Sequence, residues 1–326
     1  MRMRLAVIIV NYRTPALVTE CLDSLDRQLE RGKDVAVVVD NGSGDGSADD
    51  LERTAQENGW QGWVKIVRAE RNDGFSAGNN IGIEAVDAEA YWLLNSDTIV
   101  KEGAVESLLA ALEARPDAGL VSARLDSGDG GRQTNCFRNP SPVGELIKGA
   151  QTGAVTKWLQ RFDVPMPQSD EPRECDWTGF ASVVIRREVF RDVGPLDEGY
   201  FMYFEDVDFC RRAREKGWRI LHWPQAAVVH LHGQSGPVVG ATEARQRRPR
   251  YFYASRARYF AKFYGRVGLW TANGCWLLGA VLAVLQQVLG HKKDHFCRRE
   301  FFDIWTNAHR PLRTAAWRDA SRPPPG

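Results

Sequence analysis

The feature that most constrains the fold is the alternation of short apolar runs with helical patterns over the first 125 residues. Residues 5–10 are a continuous apolar run rich in β-branched side chains, as expected for a parallel strand that helices cover on both faces. The apolar periodicity predicts strands at residues 5–10, 35–39, 64–67, 91–94 and 119–122, and helices at residues 14–30, 76–86 and 102–114. This order predicts an α/β domain with a mainly parallel central sheet flanked by helices.

Polar side chains follow three of these predicted strands. Asn11 follows the first, Asp40 ends the second, and Asn95, Ser96 and Asp97 follow the fourth. Asn and Asp often begin turns, which would account for each position separately. In open α/β sheets, however, ligands bind at the carboxyl ends of the strands. The coincidence at three strand ends therefore favours a binding site at this edge. At the start of the first helix, we expect Thr14 to be the N-cap and Pro15 the first helical residue.

Charge and cysteine usage exclude several protein classes. The 43 Lys and Arg residues balance 42 Asp and Glu residues, so the chain has no general affinity for nucleic acid. The six cysteines form no CxxC pair, which favours a reducing, cytoplasmic setting over a disulfide scaffold. The first apolar run is too short for the core of a signal peptide. We therefore expect a cytoplasmic protein.

A Gly-rich loop at residues 71–80, Arg-Asn-Asp-Gly-Phe-Ser-Ala-Gly-Asn-Asn, leads into the second predicted helix, at residues 76–86. Such a loop allows the backbone to approach a nucleotide closely, and Arg71, Asn72 and Asn79 are its candidate ligand-binding residues. Asp40 could accept a hydrogen bond from the imide N–H of a pyrimidine base, or could simply cap the turn that follows it. GxGxxG, GxxxxGK[ST] and CxxC zinc motifs are absent from the sequence, which disfavours dinucleotide oxidoreductases and P-loop NTPases.

Three carboxylates stand close together after an aromatic segment. Residues 199–204, Gly-Tyr-Phe-Met-Tyr-Phe, run directly into Glu205, Asp206 and Asp208, at the start of a helix predicted to end near Gly217. Apolar surroundings raise the pKa of a carboxyl group and would make one of the three a proton acceptor near neutral pH. Alternatively, all three only complement the positive end of the helix dipole. We expect just one of them to face a cleft.

The strand ends also offer ligands for a metal ion. Mg²⁺ and Mn²⁺ are usually held by one or two carboxylates together with substrate phosphates, and Asp97 is well placed for this. Further strands are predicted at residues 182–185, 219–222 and 227–230, and His230 ends the last of them. His230 could supply a second ligand, or it could be a hydrogen-bonded histidine without a metal.

The pattern becomes less regular at residues 128–172, where glycines and prolines are frequent. We expect mobile loops here that shape an acceptor-binding side of the site, together with Trp177.

The chain changes character near residue 241. The C-terminal part is rich in Arg, Tyr and Phe, and residues 268–290 are its most apolar stretch. The uninterrupted apolar core, residues 275–285, is shorter than a membrane span requires. Tryptophans flank one end of this stretch and basic residues follow the other (Trp270, Trp276, Lys292, Lys293, Arg298, Arg299). This arrangement suits an interfacial helix on an anionic membrane, and a helix packed on the first domain fits equally well. We predict domains at 1–240 and 241–326, with a disordered tail at 322–326.

Five segments of the chain resemble the motifs of family 2 glycosyltransferases of the GT-A fold, and among them those of bacterial rhamnosyltransferases of cell-wall and O-antigen assembly. These segments are residues 7–12, 38–43, 72–82, 93–97 and 199–212. They follow one another in the family's order, and the resemblance as a whole covers about residues 5–235. The resemblance implies a GT-A catalytic domain with a C-terminal helical extension.

The resemblance also implies roles for individual residues. Asp40 matches the position that contacts the nucleotide base, and residues 95–97 match the metal-binding DxD motif with Asp97 as ligand. Asp206 matches the catalytic base of inverting members, and His230 a further metal ligand. Asn11, Arg71, Asn72, Asn79, Asn95 and Ser96 then belong to the donor site, and Trp177 and Glu205 to the acceptor side. Asn95 departs from the motif, because its first position is usually Asp.

The expected activity is inverting transfer of a sugar from a nucleotide-sugar donor, with Mg²⁺ or Mn²⁺ as cofactor. On resemblance, dTDP-L-rhamnose is the expected donor, and a saccharide linked to polyprenyl diphosphate at the membrane surface is the expected acceptor. UDP-galactofuranose or a UDP-hexose as donor, and a non-catalytic sugar-nucleotide-binding scaffold, remain alternatives. A nucleotidyltransferase would need a basic Gly-rich loop near the N-terminus, and residues 11–15, Asn-Tyr-Arg-Thr-Pro, do not form one.

Overall fold

The computed structural model describes residues 2–231, 237–290 and 295–313. Lys292, Lys293 and the tail at residues 322–326 lie outside the described residues. The chain divides into two compact units, and each is built from separate stretches of sequence. The first unit comprises Met1–Cys136, Pro167–Glu198 and Glu205–Ser235, and the second comprises Phe137–Met166, Gly199–Phe204 and Gly236–Gly326. The division after residue 240 into a catalytic and a C-terminal region stays a prediction.

One ten-stranded sheet forms the centre of the first unit. Its strands are β1 (Met3–Asn11), β2 (Asp34–Asp40), β3 (Val64–Arg68), β4 (Ala88–Asn95), β5 (Thr98–Val100), β6 (Ala118–Asp126), β7 (Arg132–Gln133), β8 (Arg173–Glu174), β9 (Ser182–Arg186) and β10 (Arg219–His230). The order is β3-β2-β1-β4-β9-β6-β10-β5, with β7 beside β6 and β8 beside β10. The two strands predicted at residues 219–222 and 227–230 are one strand, which is irregular between Trp223 and Ala227.

The sheet is mixed rather than mainly parallel. β1, β2, β3 and β4 pair in parallel, and so do β6 and β10. β9 runs antiparallel between β4 and β6. A short apolar run is equally compatible with either direction, so the sequence pattern could not reveal the reversal. The α/β class with a helix-flanked sheet is confirmed.

Eleven α-helices occur within the described residues. They are α1 (Pro15–Leu25), α2 (Ser47–Glu57), α3 (Phe75–Glu84), α4 (Ala104–Ala114), α5 (Gly144–Ala150), α6 (Gly153–Trp158), α7 (Arg187–Val193), α8 (Glu205–Glu215), α9 (Pro237–Glu243), α10 (Arg250–Val288) and α11 (Glu300–Asp303). The expectation of mobile loops at residues 128–172 was wrong in part, because β7, α5 and α6 lie there. Thr14 is the N-cap residue and Pro15 begins α1, as predicted, although the Thr14 side chain makes no cap hydrogen bond.

The position of α3 against the sheet depends on two glycines. A Cβ atom on Gly82 would lie 2.5 Å from Ile8 Cγ2, and one on Gly78 would lie 2.8 Å from Val10 Cγ1. Both distances are shorter than van der Waals contact allows, so only glycine lets the helix approach β1 this closely. The loop that precedes α3 is thereby held beside the carboxyl ends of β1 and β2.

The second unit is built around α10, which is broken at Gly265, where φ is 69° and ψ is −179°. Inside this unit, Arg256 and Glu145 form a buried ion pair: Nε donates to Oε2 over 2.9 Å, and Nη2 lies 2.8 Å from the same oxygen. Arg256 Nη1 also donates to Asn273 Oδ1 over 2.6 Å. Burial opposes the charge on Glu145, but the fields of Arg256 and Lys148 bring its pKa below the ordinary value. This network joins α5 to both parts of α10.

The later part of α10 exposes a stripe of large apolar side chains. Leu278, Val281, Leu282 and Leu285 are between 37% and 54% exposed, and their i, i+3, i+4, i+7 spacing places them on one helix face. Trp276, Gly279, Ala280 and Ala283 are buried on the other side. By length and composition alone, α10 could also cross a membrane. Core helices of soluble proteins share those two properties.

Candidate active site

The carboxyl ends of β1 and β2 meet in a buried hydrogen-bond network. Asn11 and Asp40 are register partners across the two strands, and Asn11 Nδ2 donates to Asp40 Oδ1 over 2.7 Å. Ser43 Oγ donates to the same carboxylate oxygen over 2.5 Å. Thr14 Oγ1 donates to Asn11 Oδ1 over 3.3 Å and lies 3.5 Å from Ser96 Oγ. Five polar side chains are thus connected in one network at this edge of the sheet.

The Gly-rich loop at residues 71–80 is hydrogen-bonded to Asn41, which follows β2. Asn41 Nδ2 donates to Asn72 Oδ1 and to the carbonyl oxygen of Gly74, each over 3.0 Å. Gly42 has φ of 68°, and a Cβ atom there would lie 2.4 Å from the Arg71 carbonyl carbon. The turn after β2 and the loop before α3 therefore pack backbone against backbone at the carboxyl ends of β1 and β2.

Asn95, Asp97 and His230 come together through strand pairing. Asp97 lies in the turn between β4 and β5, and β10 pairs with β5 so that His230 opposes Thr98. His230 Nε2 lies 3.4 Å from Asp97 Oδ1 and 3.4 Å from Asn95 Nδ2. Asp97 is 1% exposed and His230 8% exposed. Two residues 133 positions apart in the chain therefore present a carboxylate and an imidazole to the same small volume.

The Asp97–His230 pair fits a divalent cation. A carboxylate oxygen and an imidazole nitrogen are both suitable ligands for Mn²⁺, and the carboxylate suits Mg²⁺. Within the described residues, the chain forms no group of three or more His, Cys, Asp and Glu side chains able to hold a metal. Substrate phosphates would therefore have to complete the coordination, which is usual for Mg²⁺.

The three acidic residues at the start of α8 have different environments. Asp208 is fully buried and forms an ion pair with Arg212, whose Nε lies 2.6 Å from Oδ1. Glu205 is 6% exposed, and its Oε2 makes no hydrogen bond within the described residues. Asp206 is half-buried, and its Oδ1 accepts a hydrogen bond from the Val207 backbone N–H over 2.8 Å. Asp206 is therefore the carboxylate of the three that solvent or a ligand can reach.

The protonation of Glu205 and Asp206 follows from burial. Burial raises the pKa of Asp206 to about 7. Burial, and next the neighbouring Asp206 charge, raises the pKa of Glu205 well above its usual range. Two adjacent carboxyl groups in an apolar setting do not readily ionise together, so a charge on Asp206 further opposes ionisation of Glu205. A pKa of about 7, as for Asp206, is what a general base needs near neutral pH.

The backbone that enters α8 is strained. Tyr203 and Phe204 both have left-handed backbone conformations, with φ of 68° and 67°. For bulky residues this costs about 1–3 kcal/mol each, and such strain persists only where packing enforces it. Phe204 packs against Phe252 and Tyr259 of α10, at ring-centroid distances of 6.1 and 5.6 Å. The aromatic segment predicted to deliver the carboxylates is thus held by packing within the second unit.

Other predicted site residues have contacts of a different kind. Arg71 is exposed and pairs with Asp73 over 2.6 Å, and Asn79 Nδ2 donates to the Phe75 carbonyl inside α3. Trp177 is half-buried in the segment before β9. The donor-site role of Arg71 and Asn79 and the acceptor-side role of Trp177 and Glu205 stay predictions.

Sequence reasoning missed Thr14, Ser43 and Gln133. The first two lie within three residues of a predicted polar strand end, so proximity to Asn11 and Asp40 could have suggested them. Gln133 contacts His230 through two hydrogen bonds, Nδ1 to Oε1 at 3.1 Å and Nε2 to the His230 carbonyl at 2.8 Å. No local pattern marks Gln133, because its partner lies 97 residues away.

Comparison with known proteins identifies the family of the chain. Residues 6–194 match the family model described as Glycosyl transferase family 2. The chain is 26% identical over 324 residues to the N-acetylglucosaminyl-diphospho-decaprenol L-rhamnosyltransferase of Mycobacterium tuberculosis, a match that covers 94% of this chain and 99% of that protein. It is 23% identical over 164 residues to the rhamnosyltransferase WbbL of Escherichia coli K12, covering 48% of this chain and 60% of WbbL.

The fold is shared with a solved glycosyltransferase. A mannosyltransferase of Pyrobaculum calidifontis, in complex with GDP-Man and Mn²⁺, superposes with a TM-score of 0.56 at 17% sequence identity. The match covers 97% of this chain and 86% of that one. The expected GT-A fold is confirmed.

Proposed function

Since the chain belongs to glycosyl transferase family 2, we propose that it is an inverting glycosyltransferase with Asp206 as its catalytic base. The observation that carries this assignment is the contrast among three neighbouring carboxyl groups. Asp208 is paired with Arg212, Glu205 is buried with a pKa well above its usual range, and Asp206 is accessible with a pKa of about 7. Among the three, only Asp206 can ionise near neutral pH and also be reached by a substrate.

The proposed reaction is a single displacement. Asp206 accepts the proton of an acceptor hydroxyl as that oxygen attacks the anomeric carbon of the donor, and the nucleoside diphosphate leaves from the opposite face. General-base help of this kind is typically worth about 10²–10⁴-fold in rate. Attack opposite the leaving group inverts the anomeric centre.

Donor binding is assigned to the edge of the sheet formed by the carboxyl ends of β1, β2 and β4. Asp40, held by Asn11 and Ser43, would accept from the imide N–H of a pyrimidine base. Asn72, Asn95 and Ser96 line the same edge, and Arg71 and Asn79 complete the proposed donor site. Asp97 and His230 would hold Mg²⁺ or Mn²⁺, and the cation would stabilise negative charge on the diphosphate as a Lewis acid. The P. calidifontis enzyme was solved with Mn²⁺, which supports this cofactor.

The donor and acceptor are proposed by analogy with relatives. Two are named rhamnosyltransferases, and one name specifies an N-acetylglucosaminyl-diphospho-decaprenol acceptor. We take dTDP-L-rhamnose as the donor and a polyprenyl-diphosphate-linked saccharide as the acceptor. Trp177 and Glu205 are proposed on the acceptor side. UDP-galactofuranose and UDP-hexoses are the competing donors.

A lipid-linked acceptor calls for a cytoplasmic protein that is peripheral at the membrane. The exposed stripe at Leu278, Val281, Leu282 and Leu285 supports this, since such a face can enter the headgroup region of a bilayer. Arg298 and Arg299 are exposed in the same unit and suit anionic lipid headgroups.

Membrane binding is tested by a charge placed in this stripe. Leu285→Glu should weaken cosedimentation with vesicles of anionic phospholipid, because a carboxylate resists entry into the apolar layer. Gln286→Glu adds the same charge one residue away, beside the stripe, and should bind much as the wild type does. Equal binding by wild type and Leu285→Glu would remove the membrane from the proposal.

The function is tested by turnover across a panel of donors: dTDP-rhamnose, UDP-galactofuranose, UDP-glucose and UDP-N-acetylglucosamine, each with Mg²⁺, Mn²⁺ or EDTA. We expect metal-dependent transfer from dTDP-rhamnose. Transfer from another donor would keep the mechanism and discard rhamnose. Inactivity with every donor, in the presence of a lipid-linked acceptor, would favour a non-catalytic sugar-nucleotide-binding role.

A further inference from the structure

A tight hairpin brings Gln133 to the side of His230. β6 and β7 pair antiparallel with Leu125 opposite Gln133. The connecting turn is closed by the Ser127 N–H, which donates to the Gly131 carbonyl over 2.6 Å, and by the Gly130 N–H, which donates to the Ser127 carbonyl over 2.9 Å. Gly130 has φ of 87°, which few residues other than glycine adopt. The glycines of this stretch therefore build a defined turn.

The Gln133 side chain forms hydrogen bonds to His230 at two points. Its Nε2 donates to the His230 backbone carbonyl over 2.8 Å, and its Oε1 lies 3.1 Å from His230 Nδ1. Nε2 also donates to Ser127 Oγ over 3.3 Å. One amide therefore fixes both the backbone and the ring of the same residue.

These contacts determine where the imidazole carries its proton. The His230 carbonyl oxygen can only accept, so the amide nitrogen of Gln133 must face it. Its oxygen then faces Nδ1, and because that oxygen also only accepts, Nδ1 must carry the proton. In the neutral ring, Nε2 then carries a lone pair, and both Asp97 Oδ1 and the Asn95 amide nitrogen, which can donate to that lone pair, lie 3.4 Å from it. His230 Nε2 and Asp97 Oδ1 are thus two electron-pair donors close to each other, and a cation could bind both.

We propose that Gln133 is a positioning residue that fixes the ring orientation and Nδ1–H tautomer of His230, so that Nε2 and Asp97 can bind a divalent cation together. The proposal rests on the metal site of the proposed function. A group that holds the second nitrogen of a metal-binding histidine typically changes metal affinity or activity about 10–100-fold when it is removed.

The first measurement reads the tautomer directly, in the absence of metal. The protein is labelled with ¹⁵N-histidine, and long-range ¹H–¹⁵N correlation spectra are recorded at pH 8, where an ordinary imidazole is neutral. The His230 signals are identified by their loss in His230→Gln. We expect the Nδ1–H tautomer in the wild type and a shift towards Nε2–H in Gln133→Leu. Gln133→Glu keeps an acceptor for Nδ1–H and should keep the tautomer.

The second measurement is Mn²⁺ affinity, followed by the electron paramagnetic resonance signal of free Mn²⁺ with and without dTDP. Gln133→Leu should bind about 10–100-fold more weakly than the wild type, and Gln133→Glu should bind more tightly than Gln133→Leu. Gln168→Leu is the matched control, because Gln168 Nε2 donates to the Arg132 carbonyl on the same hairpin over 3.0 Å. This control should leave both the tautomer and the affinity unchanged.

The outcomes distinguish the role of Gln133 from the existence of the metal site at Asp97 and His230. If Gln133→Leu keeps the wild-type tautomer and Mn²⁺ affinity while His230→Gln loses that affinity, the role of Gln133 is overturned. The metal site is then still supported. An Nε2–H tautomer in the wild type would also overturn it. Equal Mn²⁺ affinity in wild type and His230→Gln would remove the metal site itself, and with it the purpose assigned to Gln133.

Discussion

At the scale of single residues, the ionised form of Asp206 destabilises the folded protein, because burial raises the pKa of this side chain. Its pKa rises from 3.8 in an unperturbed side chain to about 7, and burial is the main cause. The folded protein therefore binds a proton more tightly than the unfolded chain does between these values. Stability contributed by the protonated form is full below about pH 4 and is lost as the pH rises through about 7.

Asp206→Asn should consequently raise the melting temperature at pH 8 and have little effect near pH 4, because asparagine carries no charge at either pH. The measurement is thermal unfolding of both proteins between pH 4 and pH 8, as far as each stays soluble. Asp50→Asn, at an exposed residue of α2 that pairs with Arg53, is the control and should show no such trend. A pH-independent difference for Asp206→Asn would mean that its pKa is not raised.

Some of these residues could be found from the sequence and others could not. Asn11, Asp40 and Asp97 follow buried strands, so the position of the site at the sheet edge was predictable from hydrophobic pattern alone. The family resemblance already favoured Asp206 over Glu205 and Asp208. The physical reason for that choice needed the structure, since it depends on which carboxyl group Arg212 neutralises. Gln133 was hidden because a hairpin, and not a local motif, carries it to His230.

At the scale of elements, the site depends on how closely α3 lies against β1. Alanine is favoured over glycine in a helix by about 1 kcal/mol, so Gly82→Ala would be stabilising if only propensity mattered. A Cβ at Gly82, however, would also lie 3.1 Å from Val39 Cγ2, in addition to its clash with Ile8. Overpacking of a core typically costs about 1–3 kcal/mol.

We therefore expect Gly82→Ala to lower the free energy of unfolding, as measured by urea denaturation. Gly274→Ala is the matched control, because Gly274 lies inside α10 with no heavy atom within 4 Å of the added Cβ. It should gain about 0.5–1 kcal/mol from the reduced flexibility of the unfolded chain. If both variants were stabilised alike, the close approach of α3 to β1 would be in error.

The elements themselves were unevenly predictable. Long periodic segments such as α4 and the apolar strands β1 and β2 were predicted to within a few residues of their ends. α5 and α6 were missed because six or seven residues give too little periodicity to distinguish a helix from a loop. The direction of β9 depends on pairing with β4 and β6, which a single segment does not encode.

At the scale of the whole molecule, each unit has its own source of stability. The first has a continuous apolar core on its sheet, and the second has smaller apolar clusters together with the buried pair of Arg256 and Glu145. Removal of one member of a buried ion pair leaves an uncompensated charge, which typically costs about 3–5 kcal/mol. Asn273 cannot replace the lost charge, because its amide oxygen is neutral.

Glu145→Ala should therefore strongly destabilise the second unit, which thermal unfolding followed by tryptophan fluorescence would detect. Asp50→Ala removes an exposed ion pair on α2 and should change the free energy of unfolding by no more than about 0.5 kcal/mol. Similar small effects of both substitutions would show that Arg256 gains other partners or water when Glu145 is removed.

The central claim is that this chain transfers a sugar with inversion and uses Asp206 as base. The most direct measurement compares transfer by wild type, Asp206→Asn and Glu205→Gln, using the donor that the panel identifies, with the anomeric configuration of the product read by NMR. We predict an inverted product, a fall in kcat of about 10²-fold or more for Asp206→Asn with nearly unchanged donor binding, and substantial activity in Glu205→Gln, whose amide resembles the protonated acid. A retained configuration, or Asp206→Asn turning over like the wild type, would contradict the account.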